Sequence, residues 1–134
     1  MSKIFKLENG RKIFFPDGKA YRILFDSSDT GAKKIGGLIG VIPAGAKGVG
    51  YHYHDNRESI LFFLDGEGKA LIEGREYDLG PGTVLFVAPK DKHKITNTGR
   101  LELRYVEFFT DPPMESDFSE VDHPIAKKRK GEWN

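Results

Sequence analysis

Residues 51–64 read YHYHDNRESILFFL, and the parity of this run decides the architecture. In an extended strand, successive side chains point to opposite faces. His52, His54 and Glu58 then share one side, provided no bulge intervenes, and Ile60, Phe62 and Leu64 continue that side as an apolar row facing a barrel interior. Two imidazoles and a carboxylate are thereby expected on the face that otherwise builds the core. Burying such groups unpaired carries a penalty of several kcal/mol or more. A divalent cation bound by all three removes that difficulty. Core histidines with ordinary hydrogen-bond partners are the competing reading. Leu61 and Phe63 make the odd-numbered face apolar as well, so the strand reads as covered on both sides.

Outward from this run, Gly (16) and Pro (7) punctuate the chain at short intervals. Between them KIFF, YRILF, GLIGVI, SILFFL, KALIEG, TVLFVA, KHKITN and LELRYVEFF each read as a short strand rich in β-branched and aromatic residues. The separators PDG, PAGAKG, DGEG and GPG carry turn chemistry. No segment before residue 111 sustains a helical period, and no internal repeat is visible. The pattern predicts an all-β sandwich or small barrel in one domain over 1–134, with N-terminal strands in 1–35, a core in 36–110 and an extension in 111–134.

Composition narrows the function classes. The 21 basic and 20 acidic residues nearly cancel, so no strong electrostatic footprint for nucleic acid is present. The apolar runs ILFFL and VLFVA are too short to cross a bilayer, and MSKIFKLENGRK lacks a signal-peptide core, so a cytoplasmic location is expected. Cysteine is absent, which leaves imidazole, carboxylate and water to hold any metal. The extension carries five acidic residues in DPPMESDFSEVD, followed by KKRK at 127–130. It reads as a solvated tail. An arm or lid anchored by Phe118, Val121 or Trp133 is the alternative.

A second stretch, GPGTVLFVAPKDKHKITNTG at 80–99, adds a third imidazole. Its glycine turn leads into a buried-looking strand, Pro89 ends that strand, and a polar turn delivers His93 onto the next one. His93, Ile95 and Asn97 share a face there. Asn97 reads either as a residue that orients a ligand imidazole or bound water, or as a simple cap near NTG.

Together the two stretches resemble the cupin superfamily, whose motifs run G-x5-H-x-H-x(3,4)-E-x6-G and G-x5-P-x-G-x2-H-x3-N. His52, His54 and Glu58 match the first; Gly82, Pro89, His93 and Asn97 match the second, with the step from Gly82 to His93 kept. The departures lie in turns. Ala46 stands where the first motif begins with Gly, Gly66 comes one residue late after Glu58, Pro89 is one late, and Asp91 replaces a Gly.

The resemblance implies a double-stranded β-helix, or jelly-roll, cupin barrel with a divalent transition metal (Mn, Fe, Ni, Co, Cu or Zn) held by His52, His54, Glu58 and His93. About two positions of an octahedral ion then stay open for substrate, water or dioxygen. Small cupins of this kind are similar to oxalate decarboxylases, sugar-phosphate isomerases, dioxygenases and lyases. The implied function is an enzyme acting on a small carboxylate, keto acid or sugar derivative. A non-catalytic sugar-binding or sensing cupin is the alternative, and a barrel with a purely structural metal the third reading.

Candidates for proton transfer or anion binding are Tyr105, Glu107 and Arg104 on LELRYVEFF. If Leu101, Leu103, Tyr105 and Glu107 form the inward face, Glu107 is placed to act as a base. Arg57 has the opposite parity to Glu58 and is expected to be a surface or interface charge. A homodimer is expected through the second apolar face of the SILFFL strand. No membrane or nucleic-acid partner is expected.

Overall fold

Glycine and aromatic residues of two neighbouring strands interlock, and this fixes the wall on which the site is built. The computed structural model describes residues 1–121. In chain order the strands are β1 (Arg11–Phe14), β2 (Tyr21–Phe25), β3 (Ile35–Ile42), β4 (His52–Tyr53), β5 (Ser59–Asp65), β6 (Gly68–Ile72), β7 (Arg75–Leu79), β8 (Val84–Val87), β9 (His93–Asn97), β10 (Leu103–Thr110) and β11 (Ser119–Glu120), with a one-turn helix α1 (Ser27–Thr30) after β2. On β3, Gly40 stands opposite Tyr105 of β10 and Gly36 opposite Phe109. A Cβ at Gly40 would lie 2.2 Å from the Tyr105 ring, and one at Gly36 2.4 Å from the Phe109 ring. The aromatic rings therefore lie flat across the neighbouring strand, in space that only glycine leaves open.

All pairings are antiparallel and form two sheets, a six-stranded one ordered β1-β2-β3-β10-β5-β8 and a five-stranded one ordered β11-β4-β9-β6-β7. The chain alternates between the sheets, and the arrangement is the double-stranded β-helix expected from the sequence. Leu24, Ile42, Phe63, Leu103 and Phe109 fill the space between the sheets with at most 2% exposure. Burial of this apolar surface is the main favourable term holding the sheets together.

The parity expected for residues 51–64 is corrected. His52 and Tyr53 belong to β4 in one sheet, whereas Ser59 opens β5 in the other. The intervening residues 54–58 form a loop, which resets the alternation. On β5 the inward residues are Ser59, Leu61 and Phe63, while Ile60, Phe62 and Leu64 face outward with 37–46% exposure. Two strands, β7 and β11, escaped the sequence reading, and β4 was read as one strand with β5. β4 and β11 have two residues each, and β7 (REYDL) is a largely exposed edge strand with no apolar alternation.

The expected solvated extension is also corrected as far as it is described. Residues 111–121 fold back over one end of the sandwich, and β11 pairs with β4, placing Glu120 opposite His52 and Ser119 opposite Tyr53. The segment is held from below by Arg57, which is 1% exposed and not a surface charge. Its guanidinium donates to the carbonyls of Thr110, Asp111, Met114, Pro113 and Ser116 at 2.9–3.3 Å and lies 4.7 Å above the Phe109 ring. Trp133 and the KKRK run lie outside the described residues.

Candidate functional site

Three histidines come together where β4 meets β9. His52 pairs directly with His93 across the two strands, and His54 follows at the end of β4. One ring nitrogen from each of the three lies within 4.8 Å of those of the others, so the group can hold a metal ion. The ring centroids of His52 and His93 are 4.2 Å apart, and those of His54 and His93 5.4 Å.

Each ring is oriented by a backbone carbonyl. Nδ1 of His52 meets the carbonyl of Gly50 at 2.6 Å, Nδ1 of His54 that of Asp117 at 2.5 Å, and Nδ1 of His93 that of Asp91 at 2.9 Å. A carbonyl only accepts, so each Nδ1 carries the proton and donates it. Nε2 is left as the lone-pair nitrogen in the neutral ring. Burial favours that neutral form. It pushes His52 down to about 3 and His93 down to about 4, helped in both by the repulsion of neighbouring histidines, and it lowers His54 as well. Three neutral imidazoles anchored through Nδ1 are the donor set that borderline divalent metals take.

Glu58 is not part of this group. It ends the loop that resets parity, its side chain is exposed, and its backbone pairs with Thr110. The glycine of the motif explains the difference. Gly66 has φ 86°, and a Cβ there would lie 2.3 Å from the Glu102 carbonyl, so that turn requires glycine. Counting back the six intervening residues of E-x6-G from Gly66 ends on Ser59. Ser59 is buried and points inward, so a hydroxyl stands where the motif carries its carboxylate.

Asn97 sits at the far end of β9 and does not reach a histidine. Its side-chain nitrogen donates to the carbonyls of Ile42 and Leu101 at 2.7 and 2.9 Å, and its oxygen accepts from the Gly99 N–H at 2.8 Å. Its role is the cap, not the orientation of a ligand.

The histidines open onto a cavity of about 70 Å³ between the sheets. Tyr105 and Glu107 line it, whereas Arg104 has the opposite parity and does not. By register Glu107 lies between Leu38 and Leu61, and this apolar row raises its pKa through desolvation. The Ser59 hydroxyl offsets part of that rise without reaching hydrogen-bond geometry. Burial raises the Tyr105 phenol as well, which keeps it a neutral donor.

Arg22 of β2 is the lining residue that sequence reasoning missed. In YRILF the odd positions Tyr21, Ile23 and Phe25 form the more apolar face, yet Leu24, on the face of Arg22, is the fully buried one. The opposite assignment was the natural one from the sequence. Met114 and Phe118 of the folded-back segment close the other side of the cavity, and the Phe118 ring stacks on His52 at 4.7 Å. The carboxylate of Asp117 fixes this roof by accepting the backbone N–H groups of Asp55, Asn56 and Arg57. Among the described residues no helix is long and apolar enough to cross a membrane.

Comparison with known proteins places this fold. An oxalate-binding protein of Thermotoga maritima is 32% identical over 65 residues, covering 48% of this chain and 53% of that protein. The tetracenomycin polyketide synthase protein TcmJ of Streptomyces glaucescens is 31% identical over 90 residues, covering 66% and 59%. The matches thus span less than two thirds of these curated relatives. Among solved structures, the Lactobacillus farciminis oxalate decarboxylase formate complex superposes with a TM-score of 0.75 at 21% identity, over 87% of this chain and 35% of that one. A cupin-superfamily sugar phosphate isomerase of Silicibacter pomeroyi gives 0.71 at 16% identity, over 83% and 77%. At these identities the structures share the fold alone. Residues 38–109 match the family described as the cupin domain, more than half of the chain, and the protein belongs to the cupins.

Proposed function

We propose that this cupin is a metal-dependent enzyme acting on a small polar substrate, with a divalent transition metal on His52, His54 and His93. The observation that carries the reading is the convergence of three neutral imidazoles, each tied through Nδ1 to a carbonyl, on one buried cavity. Three protein donors leave up to three positions of an octahedral ion for water and substrate. The metal would supply Lewis acidity at the bound substrate oxygen. Glu107, with its raised pKa, suits proton transfer, and Tyr105 suits hydrogen bonding to a developing negative charge. The oxalate decarboxylase of Bacillus subtilis, 20% identical, has Mn(II) centres, and Mn(II) is the first ion to test here.

The experiment is elemental analysis of untagged protein prepared without chelators, together with His52→Ala, His93→Ala and Glu58→Gln. Both histidine variants are expected to lose the metal and Glu58→Gln to keep it. Unchanged occupancy in both histidine variants sinks the cage. Turnover is then sought with metal-loaded protein on a panel of small hydroxy acids, keto acids and sugars. The roof of Met114 and Phe118 favours one competing reading, a binding protein that encloses its ligand without transforming it. Stoichiometric binding of one compound with no turnover across the panel would establish that alternative.

A homodimer is part of the proposal. By register Phe108, Ile60 and Phe86 lie side by side on the outer face of the six-stranded sheet, with Phe62 and Val84 in the next row. All five are exposed, from 37% at Ile60 to 55% at Phe86.

A further inference from the structure

We propose that Arg22 is the carboxylate-binding residue of the cavity, and that it selects a small carboxylic acid anion whose other end reaches the three histidines. This rests on the metal-site reading above and adds a substrate class to it. Among the lining residues, Arg22 is the sole permanent cation. It makes no hydrogen bond or salt bridge to any described residue; the Phe15 ring lies 4.6 Å from the guanidinium carbon, and the charge of Arg22 also acts on the buried Glu107, favouring its ionised form. A guanidinium stacked on an aromatic face keeps its edge donors free for a planar, bidentate acceptor.

The neighbourhood supplies a second donor. Arg22 and Tyr105 flank Gly40 from either side in the sheet register, and the Tyr105 ring lies across the bare glycine. Arg22 and the phenol therefore form one polar wall in an otherwise largely apolar lining. Glu107 is the one carboxylate lining the cavity, and it forms no salt bridge with Arg22. Arg22 favours the ionised form of Glu107, but desolvation outweighs it and raises the acid's pKa, which weakens the claim of Glu107 on the guanidinium. An anion from solution thus meets a cation with no hydrogen-bonded partner, a neutral phenol and the metal position.

Size restricts the anion. At about 70 Å³ the cavity has room for roughly five waters. That suits an acid of two or three carbons.

The test is calorimetric titration of oxalate, pyruvate and the neutral diol ethylene glycol into wild type, Arg22→Met and Arg22→Lys. Each is measured with Mn(II) bound and metal-free, and metal content is assayed in parallel. Arg22→Met is expected to keep its metal and its circular dichroism spectrum while losing at least about tenfold in affinity for both anions. Arg22→Lys is expected to fall between the two, since it keeps the charge and loses the fork. Anion affinity within twofold of wild type in Arg22→Met overturns the proposal, as does wild type that prefers the diol or binds neither anion in either state. Arg22-dependent anion binding by protein that takes up no metal would support the role of Arg22 while refuting the metal site, so the two readings fail separately.

Discussion

A single hydrogen bond at Nδ1 of each histidine decides which nitrogen faces the cavity, and burial keeps the ring neutral at physiological pH. The same burial makes the metal-free protein acid-sensitive. The unfolded chain binds a proton at each ring near pH 6.5, whereas the folded protein resists until about 3 at His52 and about 4 at His93. Between those values the unfolded state holds more protons, so stability falls as pH falls, by up to about 1.4 kcal/mol per histidine for each pH unit. Urea midpoints of metal-free protein are expected to drop steadily from pH 7 to pH 4.5, and His93→Gln to flatten that slope. A slope unchanged in the variant would contradict the neutral buried ring. His52, His54 and His93 were legible in the sequence because spacing and type both mark them. Glu58 was misplaced because parity carries no information through a loop, and the correct phase was recoverable only from Gly66, whose positive φ pins the register of β5.

Among the elements, the folded-back segment 111–121 is the one that composition hid. It is polar and acidic, with no alternation to mark β11, and its attachment depends on Arg57, whose neighbours in the sequence are all polar. Five main-chain carbonyls converge on that guanidinium, and Asp26 adds a further tie by accepting the Met114 N–H at 3.0 Å. Arg57→Met removes every one of the five bonds while keeping much of the side-chain volume. It is expected to cost about 3 kcal/mol or more, because the carbonyls are left without their buried partner. Proteolysis within 111–121 is also expected to accelerate relative to wild type. Chemical denaturation and timed digestion measure the two effects, and a wild-type digestion rate would show that Arg57 does not hold the segment. The strands β1 to β3, β5, β6 and β8 to β10 were legible from runs of β-branched and aromatic residues set between turn residues. β7 was not, since an exposed edge strand needs no apolar face.

For the molecule as a whole, the outer face of the six-stranded sheet is the largest unexplained feature. A lattice of Phe62, Phe86, Phe108, Ile60 and Val84 in water is costly, and a second copy meeting it face to face would remove it from solvent. Light scattering at tens of micromolar is expected to give twice the 15.1 kDa chain mass, and Phe86→Lys to return it toward the single-chain value. Wild type running at the single-chain mass would contradict the dimer. The apolar second face of β5 was legible in the sequence, although its parity was assigned to the wrong side.

Arg57 grips the roof of the cavity mostly through main-chain oxygens, a mode of attachment that is largely indifferent to which side chains the roof carries. Anchorage and selectivity are thereby uncoupled. Met114 and Phe118 can be exchanged to reshape the chamber while the segment that bears them stays moored. A lineage of such proteins could explore new ligands by mutating its ceiling alone, leaving the imidazoles and the foundations of the fold untouched.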